Sequence, residues 1–380
     1  MYITRTIEKD IHFSLENNPV VAIVGPRQCG KSTTAKQILS SYKNTDYLDL
    51  ERPSDLSKLE DAEWYLSSRK NNLICIDEIQ HTTDLFPVIR SLVDEWGENG
   101  KFLLLGSASR DLLQQGSESL AGRIAYKKMS PFTWPEIQNR YGIEYYLERG
   151  GFPKSIIPGN SKVSTEWREN FISTFLQRDL IQWAGFSPAT MRRLWQMLAH
   201  NNGQTINYSS FGKSLSVSHS TIRHYIDLLE STFMVVTVNP YFSNLGKRLV
   251  KAPKVYIADS GITLALLGLS GFDQVSGHYA FGSIWEQIVL TNLKAFYPEA
   301  ELYFYRTSNG AEIDFVMKWK NSTIVFECKS TKAPLLSKGN YLSIEDIKPD
   351  HTYIVAPVNN GWPIKKNIDI IPLHDLKNVT

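Results

Sequence analysis

The stretch Val20–Thr33, VVAIVGPRQCGKST, constrains the fold of this chain more than any other part. Its first five residues are apolar and predict a buried parallel strand, and the run from Thr33 to Leu39 favours a helix. Between them lies the full G-x-x-x-x-G-K-[ST] pattern, whose glycines let backbone N–H groups point at phosphate oxygens beside a helix N-terminus. The stretch therefore predicts a nucleotide site formed by Gly25, Pro26, Arg27, Gln28, Cys29, Gly30, Lys31, Ser32 and Thr33.

A second motif complements this loop. Leu73–Ile76 predicts another buried strand, and it ends in Asp77 and Glu78. In the loop, Lys31 is expected to reach the β- and γ-phosphates of ATP, and the Ser32 hydroxyl is expected to hold Mg²⁺. Asp77, at the end of a neighbouring strand, can hold the same ion, and Glu78 can orient or deprotonate the attacking water. The two motifs together predict an ATPase that uses Mg²⁺.

Two further positions are candidates for the same reaction. The apolar run Lys101–Leu105 is followed by Ser107 and Ser109, either of which can sense the γ-phosphate or the attacking water. Ser107 is slightly favoured, and an ordinary strand-end turn is the alternative. Arg123 is a candidate for an arginine that stabilises transition-state charge in cis or from a neighbouring chain, and an exposed or salt-bridged arginine is equally compatible. Strands alternate with helices here, which predicts a parallel α/β sheet with ligand at the strand carboxyl ends.

Composition indicates a folded protein with more than one domain. The chain has 380 residues, of which 42% are hydrophobic and 21% charged, a balance typical of globular proteins. Its length predicts two or three domains. No apolar run approaches the roughly 18 residues that a membrane span needs. The three cysteines stand singly, so we expect reduced thiols in a cytoplasmic protein.

The charge balance changes over residues 187–255, where eight Lys and Arg residues stand against two acidic ones. Helical patterns at Met191–His200, Tyr208–Leu215 and His219–Glu230, with Ser218 as an N-cap, predict a winged helix-turn-helix. The residues expected to contact DNA are Ser220, Thr221, Arg223, His224, Lys247, Arg248 and Lys251. The alternative is an interdomain helix bundle whose basic residues pair with acidic residues elsewhere in the chain.

A second group of chemically capable residues lies in the last part of the chain. Glu286 lies in a predicted helix, Asp314 begins a predicted strand, and Glu327 and Lys329 lie two residues apart on the next strand. Two carboxylates on adjacent strands can share Mg²⁺, and a lysine beside them can support the attacking water. This spacing is similar to the PD-(D/E)xK nuclease core, with Glu286 completing the metal site, although Ile313 stands where that motif has proline. The pattern predicts a restriction-endonuclease-like fold, either as an active nuclease or as a binding platform.

The order of the motifs resembles a known family. GPRQCGKS, LICIDEIQ, LLLGSASRDLL and SLAGRIAYKKMSPFTWPEI are similar to the prokaryotic AAA-type P-loop ATPases. More narrowly, they resemble the group that carries a C-terminal domain of unknown function, DUF4143. FLQRDL, IRHYIDLLESTFMV, KVYIADSGI and RTSNGAEIDFV extend the resemblance over the later chain.

These patterns predict an α/β protein with three parts. We expect an AAA-type ATPase domain over residues 1–150, a helical and winged segment over 151–255, and a nuclease-like α/β domain over 256–380. The first boundary rests on the break at Gly150, Gly151 and Pro153.

Two hypotheses of function follow from this organisation. In the first, ATP hydrolysis drives an action on nucleic acid, and Asp314, Glu327 and Lys329 are the site at which it could be cut. In the second, the ATP state gates binding of a protein partner and the nuclease fold is vestigial. A preference for GTP is a weaker third hypothesis, because no base-specificity motif is evident. Ring formation, in which Arg123 would act in trans, is left open.

Overall fold

The computed structural model of the protein describes residues 2–107, 120–179, 187–242 and 250–379. The chain divides into two compact units, the first formed by residues 1–131 with 231–233 and the second by residues 132–230 with 234–380. Three residues with predicted functions, Ser109, Lys247 and Arg248, lie outside the described residues.

The first unit contains a sheet of five parallel strands in the order β2-β3-β4-β1-β5. These strands are β1 (Val20–Gly25), β2 (Thr45–Asp49), β3 (Leu73–Asp77), β4 (Phe102–Ser107) and β5 (Ile124–Lys128). The three central strands, β1, β3 and β4, are buried along their whole length, as expected of a parallel sheet covered on both faces. The predicted parallel α/β sheet is therefore confirmed.

The helices of the first unit connect these strands. They are α1 (Glu8–Asn17), α2 (Lys31–Leu39), α3 (Pro53–Leu56), α4 (Ala62–Ser67) and α5 (Leu85–Trp96), with 3₁₀ turns at Ser57–Leu59 and Ile79–His81. α5 buries Phe86, Ile89 and Val93 at helical spacing. It ends at Gly97, whose φ of +63° is a left-handed conformation that favours glycine.

Helices form most of the first half of the second unit. In the part of the chain that the structure describes after residue 131, they are α6 (Trp134–Ile137), α7 (Ile143–Arg149), α8 (Pro153–Ile156), α9 (Ser161–Thr174), α10 (Pro188–His200), α11 (Tyr208–Leu215), α12 (His219–Ser231), α13 (Ser260–Leu267), α14 (Phe272–Ser276), α15 (Phe281–Phe296) and α16 (Lys338–Ile347). A π-helical turn at Phe175–Asp179 continues α9, and a 3₁₀ segment at Leu373–Asn378 ends the chain. Among the described residues, no helix is both long enough and apolar enough to cross a membrane.

A mixed sheet of nine strands runs through the second unit in the order β13-β14-β12-β11-β10-β9-β7-β8-β6. The strands are β6 (Gln204–Thr205), β7 (Val235–Pro240), β8 (Lys254–Ile257), β9 (Glu301–Arg306), β10 (Glu312–Trp319), β11 (Ser322–Cys328), β12 (His351–Ala356), β13 (Trp362–Lys365) and β14 (Ile368–Pro372). β7 pairs with β9 in parallel and with β8 in antiparallel fashion. The strands of the predicted winged segment therefore belong to the same sheet as the predicted nuclease-like domain.

The second unit begins before the predicted boundary at residue 150. The Trp134 amide donates to Asn292 Oδ1 at 2.9 Å, and the Gly151 amide donates to Asp259 Oδ2 at 2.7 Å. Residues 132–150 thus bond to later parts of the chain, and the break at Gly150 is a turn between α7 and α8. The division of the second unit into a winged and a nuclease-like part stays a prediction.

The two helices of the predicted helix-turn-helix correspond to α11 and α12, and the winged-helix assignment stays a prediction. The turn between them passes through Ser216 in a left-handed conformation, and a Cβ on Gly212 would lie 2.7 Å from the Val217 carbonyl oxygen. Only glycine therefore allows the turn to pack this closely on α11. The Ser218 hydroxyl accepts a hydrogen bond from the Thr221 amide at 3.0 Å, as predicted for the N-cap of α12.

Candidate functional site

The loop that joins β1 to α2 carries the predicted nucleotide-binding residues. Gly30, the N-cap of α2, has a φ of +105°, which side chains disfavour. Gly25 is required for a different reason, because a Cβ there would lie 2.1 Å from the Met129 carbonyl oxygen. The Arg5 guanidinium, which is buried, donates to the Cys29 carbonyl at 3.0 Å and to the Ser130 carbonyl at 2.6 Å. The Met129 carbonyl and the Arg5 side chain, both outside the motif, thus fix the conformation of the loop.

The N-terminus of α2 is open to an anion. The first amides of a helix have no intrahelical acceptor, and Gly30 has no side chain that could cap them. Lys31 follows directly, and its buried ammonium donates to the Gly25 and Pro26 carbonyls at 3.0 Å each. Among the described residues, the Lys31 ammonium is held by neutral carbonyl oxygens. Together with the first amides of the helix and its positive end, it forms the donor set that phosphates require. These residues therefore fit a nucleoside triphosphate.

Asp77 ends β3 beside this loop. The Tyr47 hydroxyl, on the neighbouring strand β2, donates to Asp77 Oδ2, and Ser32 lies within hydrogen-bonding reach of the same hydroxyl. Burial and the Asp77 carboxylate raise the pKa of Tyr47, so the phenol is neutral and acts as a donor. Ser32 and Asp77 thus converge on one point. A hydroxyl and a carboxylate are oxygen ligands of the kind that Mg²⁺ prefers, so these two residues fit that ion.

Glu78 is held by Ser107 at the end of β4 and by Gln80 in the 3₁₀ turn Ile79–His81. The Ser107 hydroxyl, at the end of β4, donates to Glu78 Oε2 at 2.7 Å, and the Gln80 amide donates to the same oxygen. Gln80 and Arg27 also donate to the Ser107 hydroxyl oxygen, at 3.0 and 3.3 Å. Burial alone would raise the pKa of Glu78, but the Lys31 ammonium and these hydrogen bonds outweigh it and lower that pKa. The carboxylate is therefore charged at neutral pH and fixed in direction.

Arg123 lies at the other end of the same sheet. Its carbonyl accepts from the amide of Val20, the first residue of β1, whereas the phosphate-binding loop follows the last residue of that strand. Its guanidinium forms a two-pronged ion pair with Asp94, with Nη2 at 3.0 Å from Oδ2. The structure therefore does not bring Arg123 together with Lys31 and Glu78 within one chain. The reason is that Arg123 directly precedes β5, whereas the residues that face a ligand in a parallel sheet follow the carboxyl ends of the strands.

Three residues of the second predicted group, Glu286, Asp314 and Glu327, form a carboxylate cluster in the second unit together with Glu312, which the sequence did not predict. At its centre lies the ammonium of Lys254, a side chain on β8 that is only 3% exposed. Its Nζ is 2.8 Å from Glu312 Oε1, 3.8 Å from Glu286 Oε2 and 4.0 Å from Asp314 Oδ1. The pKa of Lys254 is raised because these carboxylates outweigh the effect of burial. Lys254 is therefore a charged ammonium.

The remaining contacts of the cluster come from the strands themselves. Asp314 Oδ2 accepts from the Cys328 amide at 2.8 Å, and the Tyr256 hydroxyl donates to Glu286 Oε2 at 3.0 Å. Glu327 Oε1 accepts from Lys329 Nζ at 2.7 Å. Burial, and then the proximity of Asp314, raises the pKa of both Glu286 and Glu327. The structure thus brings together all four residues of the predicted nuclease site.

The second Mg²⁺ site that the sequence predicts on Glu286, Asp314 and Glu327 stays a prediction. Within residues 2–107, 120–179, 187–242 and 250–379, no group of three or more His, Cys, Asp or Glu side chains is arranged to hold a metal ion. Glu286 and Asp314 instead face the Lys254 ammonium. As they are arranged here, these side chains do not provide the group of three ligands that the prediction requires. Lys254, from an earlier strand, places a positive charge beside them.

The predicted DNA-contacting residues that the structure describes are four residues of α12 and Lys251. Ser220, Arg223 and His224 are exposed on that helix, and Thr221 is half-buried. Lys251 is exposed three residues before β8. The Arg223 guanidinium lies over the Tyr208 ring at 5.2 Å from its centroid. Basic side chains are thus exposed where the prediction expects a nucleic-acid contact.

Several functional side chains carry no signal in the sequence. Tyr47 contacts the Asp77 carboxylate, Gln80 contacts that of Glu78, and Arg5 anchors the loop. Lys254 and Glu312 complete the carboxylate cluster. Gln80 could have been considered, because it follows Glu78 by two residues. Glu312 likewise lies two residues before Asp314 on β10. Tyr47 and Lys254 become neighbours of their sites through strand pairing, and Arg5 reaches the loop from the segment before α1.

Consecutive parts of the chain match known families. The family described as AAA domain matches residues 17–138, and two domains of unknown function, DUF8612 and DUF4143, match residues 140–273 and 281–376. These matches confirm the resemblance to AAA-type ATPases with a DUF4143 domain.

Whole proteins are similar as well. The uncharacterized protein Rv2008c of Mycobacterium tuberculosis is 37% identical over 94% of this chain and 81% of its own length. The uncharacterized protein MJ1637 of Methanocaldococcus jannaschii is 22% identical over 81% of this chain and 73% of its own. Among solved structures, AMPPCP-bound DnaA from Aquifex aeolicus aligns at 12% identity and a TM-score of 0.31, over 59% of this chain and 86% of that one. A score of that size carries no information about function.

Proposed function

Because the chain belongs to the family of AAA-domain proteins that carry a C-terminal DUF4143 domain, we propose that it hydrolyses ATP between β1 and α2 and uses the hydrolysis to act on nucleic acid. The free thiols of Cys29, Cys75 and Cys328 fit the reducing cytoplasm that we propose as its location.

One observation carries the ATPase proposal. A charged, fixed carboxylate (Glu78) and a buried ammonium (Lys31) flank an open helix N-terminus at the carboxyl edge of a parallel sheet. A helix N-terminus followed by a lysine accounts for phosphate binding in general, but not for hydrolysis. A carboxylate held in one direction by Ser107 and Gln80 adds the group that a hydrolytic water needs.

The proposed mechanism assigns each side chain one task. Lys31 exchanges its two carbonyl acceptors for phosphate oxygens of ATP and stabilises the charge that develops on them. Glu78 accepts a hydrogen bond from the attacking water and orients it. Because its pKa is lowered, Glu78 is a weak base, and orienting the water is its main task. Ser107 keeps that carboxylate in place. Ser32 and Asp77 would hold Mg²⁺, which neutralises phosphate charge when bound.

The nucleic-acid part of the proposal rests on charge. Lys213, Arg223 and Lys251 are exposed in a segment that has few acidic residues. An exposed basic face is what a phosphate backbone binds, in a manner that weakens as salt is added. Strand cleavage is not proposed, because the ammonium of Lys254 lies among the carboxylates that would have to bind a metal ion.

The first test is nucleotide turnover with Mg²⁺ by the wild-type chain, Lys31→Ala and Glu78→Gln. We expect each variant to lose about 10²–10⁴-fold in kcat, because each removes a group that acts on the reacting atoms. Lys43→Ala, an exposed lysine outside the motifs, is the control and should keep wild-type turnover. Full turnover in both site variants would refute the ATPase site. The same assay with GTP in place of ATP measures which of the two nucleotides the chain prefers.

The second test measures DNA binding and the effect of DNA on turnover. A triple alanine variant removes Lys213, Arg223 and Lys251. A control variant with the same change in charge removes the exposed Lys338, Lys366 and Lys377. We expect only the first variant to bind DNA more weakly than the wild type. Its plot of log K against log salt should also be less steep, by about one unit of slope for each phosphate that the variant no longer neutralises. Equal binding by both variants would refute the proposed nucleic-acid face.

A second candidate function is an ATP-gated contact with a protein partner. The edge strand β13 pairs only with β14 among the described strands, and it exposes Trp362 and Ile364. An exposed edge with apolar side chains is suited to accept a strand from another protein. Turnover that ignores DNA, with equal DNA binding by the two triple variants, would favour this function over the first.

A further inference from the structure

The carboxylate cluster is a site whose cation is part of the protein. Glu286 comes from α15, Glu312 and Asp314 from β10, and Glu327 from β11. Lys254 reaches them from β8, a strand that lies on the far side of β9 and β7 in the same sheet. Its ammonium has oxygens of three carboxylates within 4.0 Å. No other cation of the described chain approaches so many of the four.

The position of Lys254 is fixed by more than charge. The side chain is 3% exposed, and its Nζ lies 5.4 Å from the centroid of the Phe304 ring. A buried ammonium is expensive to desolvate and is stable only when it has several good acceptors. The same holds for the carboxylates, two of which, Asp314 and Glu327, are themselves buried. Lysine and carboxylates thus hold one another in place.

We propose that Lys254 is the resident cation of the carboxylate cluster and excludes a divalent ion from it, so that this nuclease-like part of the chain does not cut nucleic acid. The inference goes beyond ATP hydrolysis and does not depend on it. It concerns only residues of the second unit.

Geometry and electrostatics explain the exclusion. Lys254 Nζ lies 3.8 Å from Glu286 Oε2 and 4.0 Å from Asp314 Oδ1. Mg²⁺ binds oxygens at about 2.0–2.1 Å, so an ion held by these two oxygens would lie within about 6 Å of that ammonium. Two like charges at such a separation repel by several kcal/mol in a medium of intermediate dielectric constant, about 4 kcal/mol for unit charges at 4 Å. Lys254 has no other described acidic partner to move to, and leaving it buried and unpaired is costly.

The cluster keeps an unused acceptor for a cation. Glu327 Oε2 is buried and has no hydrogen-bond partner among the described residues. If the Lys254 ammonium were removed, this oxygen would join Glu286 and Asp314 as a set of three carboxylates. Their remaining cation, Lys329, is paired with the other oxygen of Glu327. A divalent ion is the natural replacement. Substitution of Lys254 should therefore create a metal site that the natural chain lacks.

The test uses Mn²⁺ alone as the probe, in full-length chains that all carry Asp77→Asn so that the nucleotide site binds no ion. Bound Mn²⁺ is measured by electron paramagnetic resonance, and thermal unfolding is followed in the same samples. We expect no Asp314-dependent Mn²⁺ binding when Lys254 is present. Lys254→Ala should bind one Mn²⁺ per chain and gain thermal stability from it, and adding Asp314→Asn should remove both effects.

The matched control is Lys329→Ala, which removes the same charge from the neighbouring lysine and should not create the site. Three results would overturn the proposal: Asp314-dependent Mn²⁺ binding with Lys254 in place, a folded Lys254→Ala chain that binds no Mn²⁺, or the same gain of binding in Lys329→Ala. If Lys254→Ala does not fold, Lys254→Gln replaces it with a neutral side chain of similar reach. The measurement on the chain that retains Lys254 is decisive in either case.

Discussion

The protein contains two sites that combine a lysine with carboxylates at the ends of strands, and they differ in what the lysine contacts. In the first unit, Lys31 Nζ donates to two backbone carbonyls, and the nearby Glu78 accepts from a serine and an amide. In the second unit, Lys254 Nζ is surrounded by carboxylates. The first lysine is held by neutral partners and the second by charged ones.

This difference decides what each site can bind. An incoming phosphate offers Lys31 a stronger partner than the carbonyls it leaves, so the first site gains from its ligand. A ligand of the second site would have to break ion pairs that are already desolvated. The pKa values agree with this contrast, because that of Glu78 is lowered whereas those of Glu286 and Glu327 are raised. The same residue types thus form an open site and a self-neutralised one.

The strongest way to break this comparison is to remove Lys254. We expect Lys254→Ala, without added metal ion, to lower the free energy of unfolding by about 3–5 kcal/mol, because it leaves buried carboxylates without their counter-charge. Urea denaturation, analysed for the transition of the second unit, gives the value. Lys338→Ala, on the surface, serves as the control. A decrease no larger than that of the control would mean that the cluster does not depend on its lysine.

A smaller effect should appear when the pH is varied. The pKa of Glu327 is raised from 4.5 to about 8 by burial and by Asp314 and Glu286, against the opposing effect of Lys329. The folded state therefore binds the Glu327 proton more tightly than the unfolded state does. The resulting stability is fully present below about pH 4.5 and is lost as the pH rises through about 8.

Glu327→Gln carries a neutral side chain at every pH and should remove this dependence. We expect the unfolding free energy of the wild-type chain to fall by about 2–3 kcal/mol more than that of the variant between about pH 5 and pH 8. Urea denaturation at several pH values measures both curves. Parallel curves would show that Glu327 is ionised throughout this range.

The same contrast separates what the sequence predicts from what it does not. Lys31, Asp77, Glu78 and Ser107 meet because parallel strands bring their carboxyl ends to one edge, and each residue follows an apolar run. The sequence predicts the proximity of Asp314, Glu327 and Lys329 for a different reason, because they lie on or directly after consecutive strands, which pair in antiparallel fashion. Glu286 joins them from α15. Lys254 belongs to a basic segment of the sequence, and nothing in a single sequence tells that β8 joins the sheet through β7 and β9. The cation at the centre of the cluster is thus a consequence of tertiary pairing.

A substitution at Ser107 tests whether the direction of Glu78 matters as well as its charge. Ser107→Ala removes a 2.7 Å hydrogen bond to the carboxylate, and we expect kcat to fall about tenfold, which corresponds to roughly 1.4 kcal/mol. Because that bond also lowers the pKa of Glu78, the acidic limb of the kcat–pH profile should move to higher pH. Ser107→Thr, which keeps the hydroxyl, should restore both. An unchanged profile in Ser107→Ala would assign Ser107 to packing alone.

The smallest effect is expected for Arg123, and it separates the two roles that its sequence position permits. Arg123 lies at the opposite end of the sheet from Glu78 and pairs with Asp94 on the surface, so Arg123→Ala should leave turnover unchanged in a dilute, monomeric sample. A contribution in trans would appear only as the chain concentration rises, because a second chain must then bring the guanidinium to the phosphates.

Turnover per chain is therefore measured over a range of concentrations for the wild type, Arg123→Ala and Asp94→Ala. Asp94→Ala frees the guanidinium but keeps it, so a decrease confined to Arg123→Ala at high concentration identifies an arginine acting between chains. A decrease at every concentration would instead require Arg123 to reach the site within its own chain, against its observed pairing with Asp94.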